Sequence, residues 1–428
     1  MEAAQTRLET ESAPALTRSR VLAAAALIAA VPLLVYGLWV YAFLKTPGHE
    51  SRDLVIIGLK YLASSDASPL LRVDPNYHRY AEEGYDGQFT YYIAIDPANA
   101  HHYMSLDDPA YRYTRILFPI AVRALALGNP EQVPRMMIVL NLLAVTLGTF
   151  ALALWLRLRR FNPWFALAYA FYPGMFFVVE RDTVDGLAYS LLAVGAVLLE
   201  LSGAAYLAAA GCAFALAGLT RENSLIFPVF YAGWMLLGGP ANQPALVRVR
   251  QNWPRAALLG GLAVLPLVAW KLGLWWWLGF LQRKPIQLFF EEIPFRGFLD
   301  LAAQPLNVAQ VETISSVILP GLICGGAALW GLRRQPRSVA LWLLLVNFLL
   351  MIVFQTRWSF TDLGGLGRYS LPVVVAAILS LPVLDRLTGG NRTWFWTSSA
   401  LWAAPAVTSL LIPIGLFLLH QPPIADIR

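Results

Sequence analysis

The sequence predicts an all-α polytopic membrane protein, on three observations. The chain of 428 residues is 58% hydrophobic and only 14% charged. A soluble domain of this length could not bury so much apolar surface, whereas a chain with many membrane-spanning helices exposes it to lipid. The apolar residues fall in runs of about 20 residues, the length that crosses a bilayer, and arginines cluster between the runs. We expect one transmembrane domain over residues 21–428.

The first apolar run covers residues 21–44, and Arg18 and Arg20 precede it. This run is longer than a typical signal-peptide core, and no small-residue cleavage site follows it. We therefore expect a retained first span with its N-terminus in the cytoplasm, preceded by a cytoplasmic tail at residues 1–20.

Residues 45–132 form the longest polar region, which we expect to be a large first outer loop with interfacial helices. Within it, the apolar stretch 115–127 is short and contains Pro119 and Arg123. These features favour an interfacial or re-entrant segment over a membrane span.

The remaining spans follow from the distribution of arginine. The run at 136–156 is followed by Arg157, Arg159 and Arg160, and the positive-inside rule places this cluster in the cytoplasm. Counting onward gives about 11 transmembrane helices, and the later arginine clusters then also fall on the cytoplasmic side. The expected spans are 21–44, 136–156, 164–180, 183–200, 203–219, 224–238, 257–281, 314–332, 338–355, 369–385 and 394–420.

One stretch of the outer loop offers a single carboxylate. Asp86 stands between Tyr85 and Gly87, so the backbone beside it is flexible. From Phe89 to Ile93, apolar and aromatic residues recur at helical spacing. This pattern suits a helix on the membrane surface that holds the carboxylate at the interface. The alternative is an acidic turn in a solvated loop.

Charged residues recur at every predicted outer turn, and most turns pair acids with bases. Charges near the membrane are costly unless they are paired or used. The planar fork of arginine suits phosphate, so two arginines with one or two carboxylates would suit a phospholipid headgroup and an acid-base reaction. Ordinary salt bridging is the alternative. The residues concerned are Asp86, Glu180, Arg181, Asp182, Asp185, Arg221, Glu222, Arg283, Lys284, Glu291, Glu292, Arg357, Asp362 and Arg368.

Other chemistries have less support. The sequence contains no P-loop, dinucleotide fingerprint or nucleophile elbow. Cys212 and Cys324 lie in apolar runs, so no disulfide framework or Cys/His metal cluster follows. The His-His pair at 101–102 with the Asp-Asp pair at 107–108 could supply metal ligands, but we expect adjacent histidines to point apart. The basic cytoplasmic loops account for the net charge of +6, so this charge does not indicate nucleic acid.

Five short motifs occur in order over most of residues 80–372. The stretch Tyr-Asp-Gly-Gln-Phe-Thr-Tyr-Tyr-Ile-Ala at 85–94 is similar to the Trp-Asp-Gly/Ser…Ile-Ala pattern of the GPI mannosyltransferase II-like branch of the C-fold (GT-C) glycosyltransferases. The stretch Arg-Ile-Leu-Phe-Pro at 115–119 resembles the Phe-Pro segment that follows in that branch. The three later motifs are a proline with an acidic turn at 172–186, Thr-Arg at 219–222 and Arg-Tyr…Pro at 367–372.

The resemblance implies a membrane glycosyltransferase. Such an enzyme moves a sugar, here mannose or another hexose or pentose, from a polyprenyl-phosphate donor to a glycan, lipid or protein acceptor. The reaction inverts the anomeric centre and takes place at the extracytoplasmic face of the inner or plasma membrane. Residues 108–119 also look like bacterial envelope proteins of this type. Because the chain has Tyr85 in place of Trp and lacks an Asp-x-Asp motif, the sugar and a requirement for a divalent cation stay open.

The resemblance, together with the positions of the charges, implies roles for eight residues. Inversion needs a general base, and Asp86 matches that position. Three acids would orient the acceptor or a cation, and four cations would hold the donor phosphate. The acids are Asp182, Asp185 and Glu222, and the cations are Arg221, Arg368, Arg357 and Lys284.

Two other classes of function remain open on the sequence. A transporter or flippase of a lipid-linked or anionic substrate would use the same arginines, but it needs polar groups near the bilayer midplane. Within the expected spans, Lys271 and Asn347 are the clearest candidates. A scaffold of an envelope complex would use the outer charges only as contacts.

Overall fold

The computed structural model describes residues 18–62, 83–104, 107–237, 244–279, 291–302, 307–360 and 363–418. Within these ranges the chain is helical and contains no strand. Five of the helices are long and apolar enough to cross a membrane. The prediction of an all-α integral membrane protein is therefore confirmed.

The helices are numbered here in chain order. The α-helices are α1 (Arg18–Lys45), α2 (Leu59–Leu62), α3 (Gly87–Ile95), α4 (Ala100–Tyr103), α5 (Pro109–Tyr113), α6 (Leu117–Leu125), α7 (Val133–Leu158), α8 (Leu167–Ala170), α9 (Pro173–Glu180), α10 (Asp185–Leu199), α11 (Ala204–Thr220), α12 (Ile226–Leu237), α13 (Ala245–Leu278), α14 (Arg296–Ala302), α15 (Val308–Thr313), α16 (Leu319–Arg334), α17 (Val339–Phe348), α18 (Leu363–Tyr369), α19 (Leu371–Leu387) and α20 (Thr393–Leu418). Short 3-10 turns cover Ser51–Leu54, Pro130–Gln132, Pro163–Ala166, Glu222–Leu225 and Arg357–Phe360, and π-helical turns cover Ile314–Ile318 and Leu349–Val353.

The five long apolar helices coincide with five of the expected spans. A sixth span results if α18 and α19, which meet at a 45° bend, are one broken helix. Three further apolar helices are shorter than these, so the count of about 11 stays a prediction. The five long helices are Ser19–Lys45, Pro130–Leu158, Ala245–Leu278, Gln310–Arg334 and Thr393–Leu418.

The span expected at residues 164–180 is not one continuous helix. A 3-10 turn, α8 and α9 divide it. Pro173 is the first residue of α9, and Tyr172 before it is extended, with ψ 138°. The proline ring clashes with a helical residue at the preceding position, so the helix must restart there.

The apolar stretch 115–127 forms the nine-residue helix α6. At 1.5 Å per residue it is about 14 Å long, which is too short to cross a bilayer. Phe118 and Val122 are fully buried, whereas Ile120 and Leu125 are exposed. This helix therefore has one face against the protein and one face outward.

The helix expected after Asp86 is present as α3, but it does not lie on the surface. All nine of its residues are buried. Phe118 of α6 and Met137 of α7 belong to the same apolar core as α3. The buried amide of Gln88 is satisfied, because its Oε1 accepts hydrogen bonds from Gly58 N at 2.9 Å and Tyr92 OH at 3.1 Å. The segment of the first loop that contains α3 is thus packed into the helical bundle.

Helices α9 and α18 approach closely at two glycines. A Cβ atom added at Gly174 would overlap the carbonyl oxygen of Gly367 and lie 2.9 Å from the amide nitrogen of Arg368. Nearby, the hydroxyl groups of Tyr172 and Ser370 are hydrogen-bonded at 2.6 Å. The missing side chain at Gly174 therefore fixes the position of Arg368 in the bundle.

We predict that Gly174→Ala destabilises the protein by about 1–3 kcal/mol, because the methyl group forces α9 and α18 apart. The thermal unfolding midpoint of the purified protein in detergent measures this loss. Gly37→Ala on α1 is the matched control, since a Cβ there meets no atom within 4 Å. Gly37→Ala should be neutral or stabilising by up to about 1 kcal/mol. Equal midpoints for the two variants would contradict the tight helix contact.

Candidate functional site

Asp86 lies between two arginines that come from distant parts of the chain. Its Oδ1 accepts a hydrogen bond from Arg112 Nη1 at 2.8 Å, and its Oδ2 accepts one from Arg368 Nη2 at 3.0 Å. The side chain is 28% exposed. Burial raises the pKa of Asp86, but the two guanidinium groups outweigh it and hold the pKa well below its usual range. Asp86 is therefore ionised at neutral pH.

Arg368 of α18 connects Asp86 to the helical bundle. Its Nη1 donates to Asp185 Oδ2 at 3.2 Å, and its Nε donates to the carbonyl oxygen of Gly364 at 3.2 Å. Its Nη2 also donates to the Tyr85 hydroxyl at 3.1 Å, and the guanidinium lies over the Tyr85 ring. The Arg368 side chain is 4% exposed. Such a buried cation needs these partners, because removing an unpaired charge from water is costly.

Asp185 is the first residue of α10 and is fully buried between two arginines. Its Oδ2 accepts from Arg368, and its Oδ1 forms an ion pair with Arg221 Nη1. Arg221 follows the last residue of α11, and its guanidinium lies 4.8 Å from the centre of the Tyr369 ring. The positive end of the α10 dipole also favours the carboxylate. These contacts hold the ends of α10, α11 and α18 together.

Another ion pair, separate from those of Asp86 and Asp185, joins the loop after α5 to the turn after α11. Arg115 donates to Glu222 through both Nε, at 3.2 Å, and Nη2, at 2.9 Å. This two-pronged geometry is the strongest that arginine forms with a carboxylate. Arg115 Nη2 also donates to the Tyr111 hydroxyl. Burial raises the pKa of Glu222, but Arg115 outweighs it and lowers the pKa to about 2.

These ion pairs surround a narrow cleft between α3, α5, α10 and α18. Its volume is about 20 Å³, enough for about one water molecule. Among the polar groups that face it, the Thr183 hydroxyl is buried and has no hydrogen-bond partner in the described structure. The cleft is lined by Asp86, Phe89, Thr90, Ile93, Arg112, Arg115, Thr183, Val184, Asp185 and Arg368.

Asp182 lies beside this cleft in the turn between α9 and α10. It is fully buried, and its Oδ1 accepts a hydrogen bond from Asn141 Nδ2 at 3.1 Å. Its Oδ2 has no hydrogen-bond partner among the described residues. Burial raises the pKa of Asp182 well above its usual range, against the smaller effect of the Asn141 hydrogen bond. Its backbone is left-handed, with φ 44°. A Cβ at Gly87 would lie 3.2 Å from the Asp182 carbonyl oxygen, so this turn packs against the backbone next to Asp86.

The structure brings together five of the eight residues expected in the site. Asp182 is adjacent to them but lies outside the ion-pair network. Arg357 is exposed on a 3-10 turn and does not line the cleft. Lys284 lies outside the described residues. Ion pairs join four of the five, Asp86, Asp185, Arg221 and Arg368, and the fifth, Glu222, pairs with Arg115 on the wall of the same cleft.

Two arginines of the site were not expected from the sequence. Arg112 and Arg115 both line the cleft, whereas Arg221, which was expected to bind the donor, lies behind Asp185 and does not. A local signal exists, because Asp108-Pro109 is a strong helix start. In the structure Asp108 Oδ1 accepts from the Tyr111 amide at 3.2 Å. That helix contains Arg112, and Arg115 lies in the turn that follows it.

The described residues contain no cluster of side chains suited to bind a metal ion. No group of three or more His, Cys, Asp or Glu side chains is placed there to hold an ion. The expectation that His101 and His102 point apart is wrong, because their ring centres are 3.9 Å apart. Both belong to the single-turn helix α4, where the His101 ring also meets Trp277. Asp107 instead accepts from Arg112 Nε at 2.5 Å.

We predict that Asp182→Asn is at least as stable as the wild type at pH 7 and above. The folded-state pKa of Asp182 lies above the ordinary value of about 3.9. Wild-type Asp182 therefore destabilises the folded protein, and this loss of stability grows as the pH rises from about 3.9 to the folded-state pKa. Each unit of elevation costs about 1.4 kcal/mol. Asparagine avoids this cost, so thermal midpoints of the two proteins should converge near pH 4 and separate toward pH 8.

The control is Asp182→Ala, which loses the hydrogen bond from Asn141 and tolerates φ 44° poorly. It should be less stable than wild type at every pH. If Asp182→Asn is instead the less stable protein at pH 7, Asp182 is ionised and paired with a cation.

Comparisons with known proteins assign no family to this chain. No family model, curated protein or solved structure matches it.

Proposed function

We propose that the protein is an extracytoplasmic glycosyltransferase that uses a polyprenyl-phosphate sugar as donor. The observation that carries the proposal is the meeting of a carboxylate, Asp86, with three arginines on the wall of one cleft. Guanidinium groups bind a phosphate through paired hydrogen bonds and stabilise the charge that develops as it leaves. A carboxylate beside them can take the proton of an acceptor hydroxyl group.

The structure supports a division of roles within the cleft. The cleft takes about one water molecule, so a phosphate would enter only as Asp86 and Arg112 move apart. Arg368, Arg112 and Arg115 would then hold the phosphate, while Arg221 would hold Asp185 in place from behind. Glu222 would hold the guanidinium of Arg115 in place through its two contacts. Asp86 would act as the general base, in keeping with the motif that it shares with the GT-C glycosyltransferases.

An apolar groove beside the cleft supports a lipid-linked donor. The groove has a volume of about 480 Å³ and lies between α1 and α7. Leu33 and Leu143, on its walls, are both exposed. It reaches Leu187 of α10, and Val184, three residues earlier and on the same side as Leu187, lines the cleft. A prenyl chain in the groove would bury apolar surface and bring its phosphate toward the arginines.

The remaining features of the proposal rest on topology. The positive-inside rule places the loop of residues 45–132, and with it Asp86, on the extracytoplasmic side of the inner or plasma membrane. The acceptor would be a glycan, lipid or protein of the cell envelope. A transporter of a lipid-linked or anionic substrate is the competing class, and it would move the substrate across the membrane without cleaving it.

We predict that Asp86→Asn lowers sugar transfer about 10²-fold or more, because the amide keeps the shape of the side chain but cannot accept the proton. Transfer is measured with purified protein in detergent and a panel of radiolabelled polyprenyl-phosphate sugars, with and without divalent cations. Asp385→Asn is the matched control, since Asp385 also pairs with an arginine, Arg392, at the opposite end of α19. Near wild-type transfer by Asp86→Asn would refute the general base. Transbilayer movement of an intact donor in vesicles would favour the transporter.

We predict that Arg368→Lys lowers transfer about tenfold or more. A lysine ammonium cannot replace the four hydrogen bonds that Arg368 makes to Gly364, Asp185, Tyr85 and Asp86. The matched control is Arg392→Lys, whose arginine pairs with Asp385 outside the cleft. If both lysine variants transfer sugar at the same rate, the fork of Arg368 has no part in binding the donor.

A further inference from the structure

Both oxygens of the proposed base are already occupied in this structure. Arg112 and Arg368 each donate to one oxygen of Asp86 at 2.8 and 3.0 Å. A carboxylate held in this way is a weak base, because both guanidinium groups stabilise its ionised form. The same two arginines are the groups that would bind the donor phosphate. The Asp86 carboxylate and the donor phosphate therefore compete for the same guanidinium groups.

The two arginines differ in how firmly they are held. Arg368 has three partners besides Asp86, namely Asp185, Tyr85 and Gly364, and its side chain is 4% exposed. Arg112 is 14% exposed, and its hydrogen bonds within the described structure use only Nε and Nη1.

Arg112 has a pivot that does not involve Asp86. Its Nε donates to the buried carboxylate of Asp107 at 2.5 Å, and its guanidinium lies 3.8 Å from the centre of the Phe89 ring. Rotation about this contact would turn Nη1 and Nη2 from Asp86 into the cleft that both residues line. The pairing with Asp107 would persist, so no buried charge would be left alone.

We propose that Arg112 couples donor binding to the base: a bound donor phosphate takes Arg112 from Asp86, and the released carboxylate can then accept the acceptor's proton. Before the donor binds, the Asp86 carboxylate occupies the arginines as an internal anion. The exchange restricts deprotonation of the acceptor to the complex in which the leaving group is already in place. This inference rests on the proposed function, because it assumes a phosphate-bearing donor.

Because Asp86 and the phosphate compete for the same arginines, removing the charge of Asp86 should strengthen phosphate binding, whereas most substitutions in a binding site weaken it. Asp86→Asn, which should lower transfer about 10²-fold or more, removes the competing anion and should tighten phosphate binding about tenfold or more. Asp86→Asn in an Arg112→Gln background should gain much less, because one of the contested donors is gone. The matched control is again Asp385→Asn, which should leave binding unchanged.

The probe is a prenyl phosphate methyl diester, whose single negative charge does not titrate between pH 4 and 8. Its binding to purified protein in detergent is measured by isothermal titration calorimetry. Unchanged or weaker binding by Asp86→Asn, with wild type binding normally, would overturn the coupling and leave the proposed function standing. Failure of the diester to bind wild-type protein at all would overturn both.

A second measurement uses only the wild-type chain. If the phosphate withdraws a guanidinium from Asp86, the pKa of the carboxyl group rises toward its ordinary value of about 3.9, so binding at about pH 4 should take up protons. Calorimetry in two buffers of different ionisation enthalpy counts them, and no proton uptake would contradict the exchange. Asp86→Asn should show none. The charged and titratable groups around Asp86 are Tyr85, Asp107, Arg112, Arg115, Arg181, Asp185 and Arg368.

Discussion

The structure of the site depends on one buried arginine. Arg368 bridges Asp86 in the first loop and Asp185 at the start of α10. A cation that is 4% exposed cannot be left unpaired, so the loop and the helix must both reach it. The space for this contact comes from the glycine at position 174, which lets α18 approach α9. The ion pairs of the site therefore depend on the close packing of α9 against α18.

The cluster around Arg368 is electrically balanced. Four arginines face four carboxylates, and the contacts form a connected chain from Asp107 to Arg221 with a separate pair between Arg115 and Glu222. Pairing offsets part of the cost of burying these charges, and among the described residues it leaves no unpaired cation in the cluster for a ligand. An anion that binds these four arginines must therefore exchange with one of their carboxylates. Asp86, as the most exposed of them, is the one that a ligand can displace.

The sequence predicted the helical class well, because apolar runs of about 20 residues are rare outside membrane-spanning helices. It also predicted that Asp86, Asp185, Arg221 and Arg368 share one region, since the positive-inside rule sorts charges by side of the membrane. It could not predict contacts within that region. In α3, Phe89 and Ile93 recur at helical spacing, which predicted a surface helix, but residues from α6 and α7 cover it, and local sequence does not report such tertiary contacts.

The same limit explains the choice of arginines. Arg221 and Arg368 stand out in sequence because they adjoin expected membrane spans, whereas Arg112 lies in a polar loop and Arg115 adjoins only the short apolar stretch 115–127. Only the fold of that loop onto α3 and α10 places the latter two on the cleft wall. The break in the helix at Pro173 could have been predicted, since proline disfavours a helical residue before it. Hydropathy alone does not show it, because the residues on both sides of Pro173 are apolar.

The most direct test of this account is an experimental structure with a polyprenyl phosphate bound. The account predicts the phosphate in the cleft, within hydrogen-bond distance of Arg368 and Arg112, with the prenyl chain in the groove between α1 and α7. It also predicts that Asp86 has lost its contact with Arg112. A phosphate bound elsewhere, or one bound while both arginines still hold Asp86, would contradict it.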